Sequence, residues 1–162
     1  MKISFLSNFK QLNVFGFSFF IYFLGVIWLD YSHVNFGFDD FIFISLVYLF
    51  LVSDSFLLHL KYYLVNRNTC FELVDDSTIC ITQNGVPNFI SSNDVEILEI
   101  NLALPVYNGY FPWRVSDSYC YAKVTTKQRS YYITSLLNRE LNFPVKFKSK
   151  MKKVRRFICW PN

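Results

Sequence analysis

Phe41 to Leu60 reads FIFISLVYLFLVSDSFLLHL, twenty residues interrupted only by Asp54 and His59. At ~1.5 Å per residue a helix of this length covers about 30 Å, the thickness of the hydrocarbon core of a bilayer. It is apolar around its whole circumference, as helices surrounded by lipid or deeply buried are. Working outward, Leu12 to Leu29 (LNVFGFSFFIYFLGVIWL) adds eighteen residues without a charge. A chain of 162 residues has too little other mass to enclose both helices, so two membrane spans are expected, at about 12–29 and 41–60. Lys2 and Lys10 precede the first span as in a signal peptide. However, Trp28-Leu29-Asp30-Tyr31 lacks the small residues of a cleavage site, so the span is expected to stay, with Trp28 and Tyr31 as interfacial anchors.

Orientation follows from charge. The connection Asp30 to Asp40 (DYSHVNFGFDD) holds three aspartates and no Lys or Arg, and all sixteen basic residues lie elsewhere. The positive-inside rule then puts both termini in the cytoplasm and a short acidic loop outside. The overall composition agrees: 52% hydrophobic, 20% aromatic and 17% charged, against roughly 25% charged in a soluble domain. Disordered, collagen-like and disulfide-rich secreted chains are excluded.

Beyond Lys61 the pattern changes to short alternating runs bounded by turn signals. Strands are expected over 69–74, 78–82, 86–90, 95–104, 119–124 and 131–133, with Asn84-Gly85 as the strongest turn signal. A short helix, LLNREL, capped by Thr134 or Ser135, is expected before Pro144. The expected fold is thus a membrane α-helical hairpin (1–61) and a small β-rich domain (62–144). The domain is a bent antiparallel sheet or half-barrel closed by a C-terminal helix.

The order of two spans, Tyr62-Tyr63-Leu64-Val65-Asn66-Arg67, a β-meander, Phe89 to Ile97, an aromatic loop and Tyr132-Ile133-Thr134-Ser135-Leu136-Leu137 resembles bacterial two-helix membrane proteins with a cytoplasmic pleckstrin-homology-like domain. The resemblance covers about Lys61 to Leu141. It implies a bent sheet closed by a helix, and no shared enzymatic activity. The domain here is shorter than a full pleckstrin-homology fold.

The net charge of +4 conceals an asymmetry. Residues 1–65 carry −1 and residues 66–144 carry −2. The tail 145–162 has Lys146, Lys148, Lys150, Lys152, Lys153, Arg155 and Arg156 and no acid, so it carries +7. Phe147, Met151, Val154 and Ile158 fall at helical spacing, so a basic amphipathic helix is expected. Its lysines and arginines would meet anionic headgroups, with Trp160 at the interface; the alternative is an apolar stripe packed on the β-domain. Nucleic acid is not the expected partner, since no reader motif accompanies the charge.

Chemistry is sparse. Cys70, Cys80, Cys120 and Cys159 form no C-x-x-C pair and read as structural thiols of a reducing compartment. His33 and His59 sit near opposite membrane faces, which argues against a metal site. There is no phosphate-binding glycine loop and no nucleophile elbow, so neither catalytic residues nor a cofactor are expected. Asp54 departs from its apolar surroundings, at a cost of about 2.5–3.5 kcal/mol at mid-membrane. It reads either as an interfacial residue or as a membrane polar site for helix contact or a polar path, with His59 within reach. Tyr107, Tyr110, Phe111, Trp113 and Arg114 make the best candidate binding loop, as Trp, Tyr and Arg favour binding hot spots. The functional expectation is a non-enzymatic two-pass inner-membrane accessory or assembly protein that binds a protein partner, or a further copy of itself, or a headgroup. The alternative is a membrane effector, as in anti-phage defence, whose β-domain senses a ligand and whose helices oligomerise.

Overall fold

The computed structural model describes residues 9–31, 37–112, 114–138 and 140–161. Lys2, His33 and Trp113, singled out above, lie outside them. Helix α1 (Phe9–Tyr31) is followed by α2 (Phe38–Asn66). Asp39 and Asp40 occupy the first turn of α2, where carboxylates meet the positive end of the helix dipole, and the Gly37 N–H donates to Asp40 at 2.9 Å. The helices run antiparallel. Ser18 bonds to Tyr48 (3.2 Å), Tyr22 bonds to Ser45 (2.5 Å), and the Tyr22 and Tyr48 rings stack at 4.6 Å. Among the described residues, α2 is the one helix long and apolar enough to cross a membrane by length and composition; α1 has a shorter apolar stretch, Ser18–Leu29.

Helix α2 does not end where its apolar run does. No Gly or Pro interrupts the sequence after Leu60, and the helix continues through Tyr62 to Asn66. The boundary expected at residue 61 therefore falls inside a helix. Two sheets follow. The first is β1 (Thr69–Asp75), β2 (Thr78–Gln83) and β3 (Val86–Ser91), antiparallel in chain order. Asn84 and Gly85, with φ of 51° and 84°, turn the chain between β2 and β3, the left-handed pair that suits a two-residue hairpin. The second sheet contains β4 (Val95–Ala103), β5 (Tyr121–Thr126), β6 (Ser130–Thr134) and β7 (Met151–Arg156), in the order β6-β5-β4-β7. Between β4 and β5 lies one turn of helix, α3 (Leu104–Tyr107).

Two expectations are corrected. The described residues of the LLNREL segment, 136–138, 140 and 141, form turns and not a helix, with Leu141 at φ 47°. Six residues are too few to nucleate a helix alone, and the turns deliver Leu141 and Phe143 into the core. The tail is not an amphipathic helix. Val145–Lys150 is a tight 3₁₀ turn and β7 then pairs in parallel with β4, Leu98 opposite Met151 and Ala103 opposite Arg156. The edge of β4 had unpaired backbone groups to satisfy, and β7 satisfies them. The tail thus belongs to the β-domain, and the second sheet is mixed where an antiparallel one was expected.

The main core lies between the sheets. Ile79, Ile81, Leu98, Ile100, Val124 and Ile133 are buried there with Phe147 from the tail. Alternation sends Asn101, Ala103 and Tyr121 to the opposite face, which would be wet in an isolated sheet. Helix α2 covers part of that face, forming a second cluster of Leu58, Tyr62, Ala103, Tyr119, Tyr121, Leu136 and Cys159.

Candidate functional site

The junction between α2 and the second sheet concentrates the buried polar chemistry. Ser55, Leu58, His59, Tyr62 and Asn66 are all buried, and their spacing places them on one helical face. The Tyr62 hydroxyl donates to the carbonyl of Cys159 at 2.6 Å, and its ring stands edge-on to Tyr119 at 5.3 Å. His59 Nδ1 and the Tyr119 hydroxyl share a hydrogen bond of 2.9 Å. The Asn66 side chain donates to the carbonyl of Tyr132 (2.9 Å) and accepts from the N–H of Thr134 (3.0 Å), closing the outer edge of β6. Burial holds the Tyr62 and Tyr119 phenols well above their usual range, so both are neutral at any physiological pH.

This arrangement gives different settings to the two residues expected to form a membrane polar site. Asp54 accepts from the Ser55 hydroxyl at 3.0 Å and is half-buried, whereas His59 is turned into the β-domain, against Tyr119. Asn66, Tyr119, Asn101 and Cys159 escape a reading of the sequence alone. Their signal is the recurrence of Leu58, Tyr62 and Asn66 at four-residue intervals, which carries the helix past the charged Lys61.

The aromatic loop and the end of the tail emerge together. Ala103, the last residue of β4, pairs with Arg156, the last of β7, so α3 and the segment Phe157 to Trp160 leave the same end of the sheet. That is the end on which Leu58 and Tyr62 are docked. Beyond α3, Gly109 (φ 81°) turns the chain, and Tyr110 and Phe111 stand 63% and 86% exposed. Tyr107 is also exposed. Arg114 is not a free contact residue. Its guanidinium bonds Asp117, which is buried, at 3.1 Å and covers the Phe157 ring at 5.1 Å. It ties the loop to the tail. The neighbouring Ser116 hydroxyl is buried with no hydrogen-bond partner among the described residues.

Two of the seven tail cations are also structural. Lys150 donates to the carbonyls of Ser92 (2.7 Å), Asn93 and Val95, and so holds the β3–β4 turn. Arg156 Nε donates to Asn101, which is fully buried, at 2.9 Å. Lys146, Lys148, Lys152, Lys153 and Arg155 are exposed, and among the described residues none has an ion-pair partner. Trp160 is partly exposed.

A groove of about 390 Å³ separates the β3–β4 turn from the β5–β6 hairpin, with Phe89, Asn93, Asp94, Lys127 and Gln128 on its walls. Arg129 braces the hairpin there, bonding Asn88 and Tyr131. Its mixed walls single out no ligand class. Among the described residues no group of three or more His, Cys, Asp and Glu side chains gathers at metal-binding distance. The four cysteines are free thiols. Burial pushes Cys120 up to about 11 and Cys159 up to about 12. Because the thiolate is the reactive form, maleimide at pH 8 is expected to label the half-exposed Cys70 first and Cys159 only on unfolding. Peptide mass spectrometry at increasing times checks the order, and early labelling of Cys159 would contradict its packing. Compared with protein-family models, with curated proteins and with solved structures, the chain matches none.

Proposed function

We propose that this chain is a two-pass inner-membrane protein whose β-domain is a non-catalytic binding or assembly module on the cytoplasmic face. The exposed apolar surface of α1 and α2 carries this reading. Phe19, Phe20, Phe23, Phe43, Leu46 and Phe50 are each more than half exposed. With roughly 200 Å² per large aromatic side chain, these alone leave on the order of 600 Å² of apolar surface uncovered. A soluble monomer's largest apolar patch is about 300–600 Å², and these six residues are only part of the surface. At ~25 cal/mol per Å², leaving those 600 Å² in water costs roughly 15 kcal/mol. Lipid removes that cost, and the hydrogen bonds from Ser18 and Tyr22 to Tyr48 and Ser45 leave those hydroxyls paired inside the helix pair.

The acidic connection between the helices then faces outward and the basic domain inward. The β-domain is read as a pleckstrin-homology-like module in which β7 takes the place of the closing helix. Its role is to present a surface to a protein partner, or to a further copy of the chain, at a fixed height above the bilayer.

The test is fractionation with alkaline carbonate. The chain is expected to stay in the membrane pellet and to be released only by detergent. A cysteine placed in the acidic connection, Asn35→Cys, is expected to react with an impermeant maleimide from outside intact spheroplasts, while Cys70 reacts only after permeabilisation. Release by carbonate, or labelling of Cys70 in intact spheroplasts, would overturn the reading.

A further inference from the structure

We infer that the end of the second sheet bearing the Tyr107–Phe111 loop and the Phe157–Trp160 segment is a seat for anionic lipid headgroups, on which the β-domain rests against the bilayer. This inference rests on the membrane reading above and names the partner of one surface.

Three observations carry it. First, position: the seat is at the end of the sheet where α2 docks through Leu58 and Tyr62, and the outer side of α2 beside it, Phe56, Leu57 and Leu60, is exposed and apolar. The seat therefore continues the apolar surface of the helix and does not form a separate patch. Second, composition: Phe111 (86% exposed), Phe157 (74%) and Tyr110 project large rings that the core does not use, and Trp160 is partly exposed beside them. Aromatic residues with a polar edge settle at the headgroup level, where one end is apolar and the other wet. Third, charge: Lys153 and Arg155, opposite Ile100 and Leu102 on the edge strand β7 and so on the side of the sheet away from α2, run toward this end, are exposed, and have no ion-pair partner among the described residues. Each basic side chain near an anionic leaflet favours the seated state by about fivefold, ~1 kcal/mol. Aromatic tips at the end of the sheet that β7 and its cations run into, on the side where a helix leaves the bilayer, match a lipid surface better than an acidic protein, which would need no such placement. Arg114 supports the seat by clamping the loop to the tail through Asp117 and Phe157; its own charge is already used.

The experiment uses the full chain reconstituted in vesicles containing lipids brominated high on the acyl chain, either with phosphatidylcholine alone or with added phosphatidylglycerol. The Trp28→Phe/Trp113→Phe variant leaves Trp160 as the only indole, and the Trp113→Phe/Trp160→Phe variant leaves Trp28. Trp28 quenching reports insertion of the hairpin. Trp160 is expected to be quenched, more strongly with phosphatidylglycerol. In the Trp160 background, Lys153→Gln and Arg155→Gln are each expected to shift the ratio of seated to unseated protein by roughly fivefold, and Phe111→Ser with Phe157→Ser to abolish the quenching. All four positions are exposed, and with the Phe157 ring gone Arg114 keeps its bonds to Asp117 and to the backbone carbonyl of residue 157, so the loop stays tied to the tail. If Trp28 is quenched and Trp160 is not, or if Trp160 is quenched equally in both lipids, this inference fails and the membrane reading stands. If Trp28 is not quenched, the membrane reading fails and takes the inference with it.

Discussion

Phe147→Ala is expected to lower the unfolding free energy by about 3–5 kcal/mol, the usual cost of deleting a buried phenyl ring, although the residue stands in the most highly charged stretch of the chain. The ring has no solvent exposure and lies 6.4 Å from that of Phe143, within the cluster formed by both sheets. Its neighbours Lys146 and Lys148 are exposed, and replacing either with alanine is expected to change stability by no more than about 0.5 kcal/mol. Thermal unfolding of the detergent-solubilised chain, followed in the near-ultraviolet, measures the contrast. Had the tail been a surface helix, Phe147→Ala would weaken vesicle binding and leave unfolding unchanged. A loss comparable to that of Lys148→Ala would remove Phe147 from the core.

Asn66→Leu is expected to cost about 2–6 kcal/mol, from one buried and one part-buried backbone group left without partners at about 1–3 kcal/mol each. The replacement branches at the same carbon with as many side-chain heavy atoms, so the loss reports hydrogen bonds and not a cavity. Asn66→Asp separates the two bonds. A carboxylate still accepts from the N–H of Thr134 but faces the carbonyl of Tyr132 with no proton to donate. Burial and that carbonyl raise the folded-state pKa of the introduced carboxyl above its unfolded value of about 3.9. Its stabilising contribution is then fully present below pH ~3.9 and is lost as pH rises through the folded-state value. The Asn66→Asp variant should therefore gain stability relative to the parent on acidification, and the Asn66→Leu variant should not. Equal pH profiles for the two variants would show that the Tyr132 carbonyl is satisfied by something else.

The six strands from β1 to β6 could be read from local chemistry. Ile79 and Ile81 alternate with polar residues, Asn84-Gly85 supplies the left-handed turn, and Leu98 and Ile100 mark the buried face of β4. Strand β7 could not be read in this way. Its partner in β4 lies more than fifty residues earlier, and as a charged edge strand it has Lys and Arg on both faces, which hides the period of two. The same residues also satisfy a helical spacing, because Phe147, Met151, Val154 and Ile158 fit i, i+4, i+7 and i+11. Long-range pairing decided between the two patterns. The candidate site was legible in proportion to how local it is. The aromatic excess of Tyr107 to Phe111 is visible in the residues themselves, while the roles of Asn66, Tyr119 and Cys159 arise only when α2 docks. Alternation along β4 makes Asn101 solvent-facing in an isolated sheet, and in the folded chain it is buried beneath the C-terminal segment.

Helix α2 runs for 29 residues without a glycine or proline and is fastened to the β-domain at Tyr62, His59 and Asn66. It is therefore a lever with the domain rigidly attached to one arm. At ~1.5 Å per residue the lever is about 44 Å long. A rotation of about 10° around its opposite end displaces the domain end by roughly 8 Å, the width of a side-chain layer, while every bond within the domain is unchanged. Whatever tilts the apolar arm is thus reported, magnified and without internal rearrangement, by the position of the sheet.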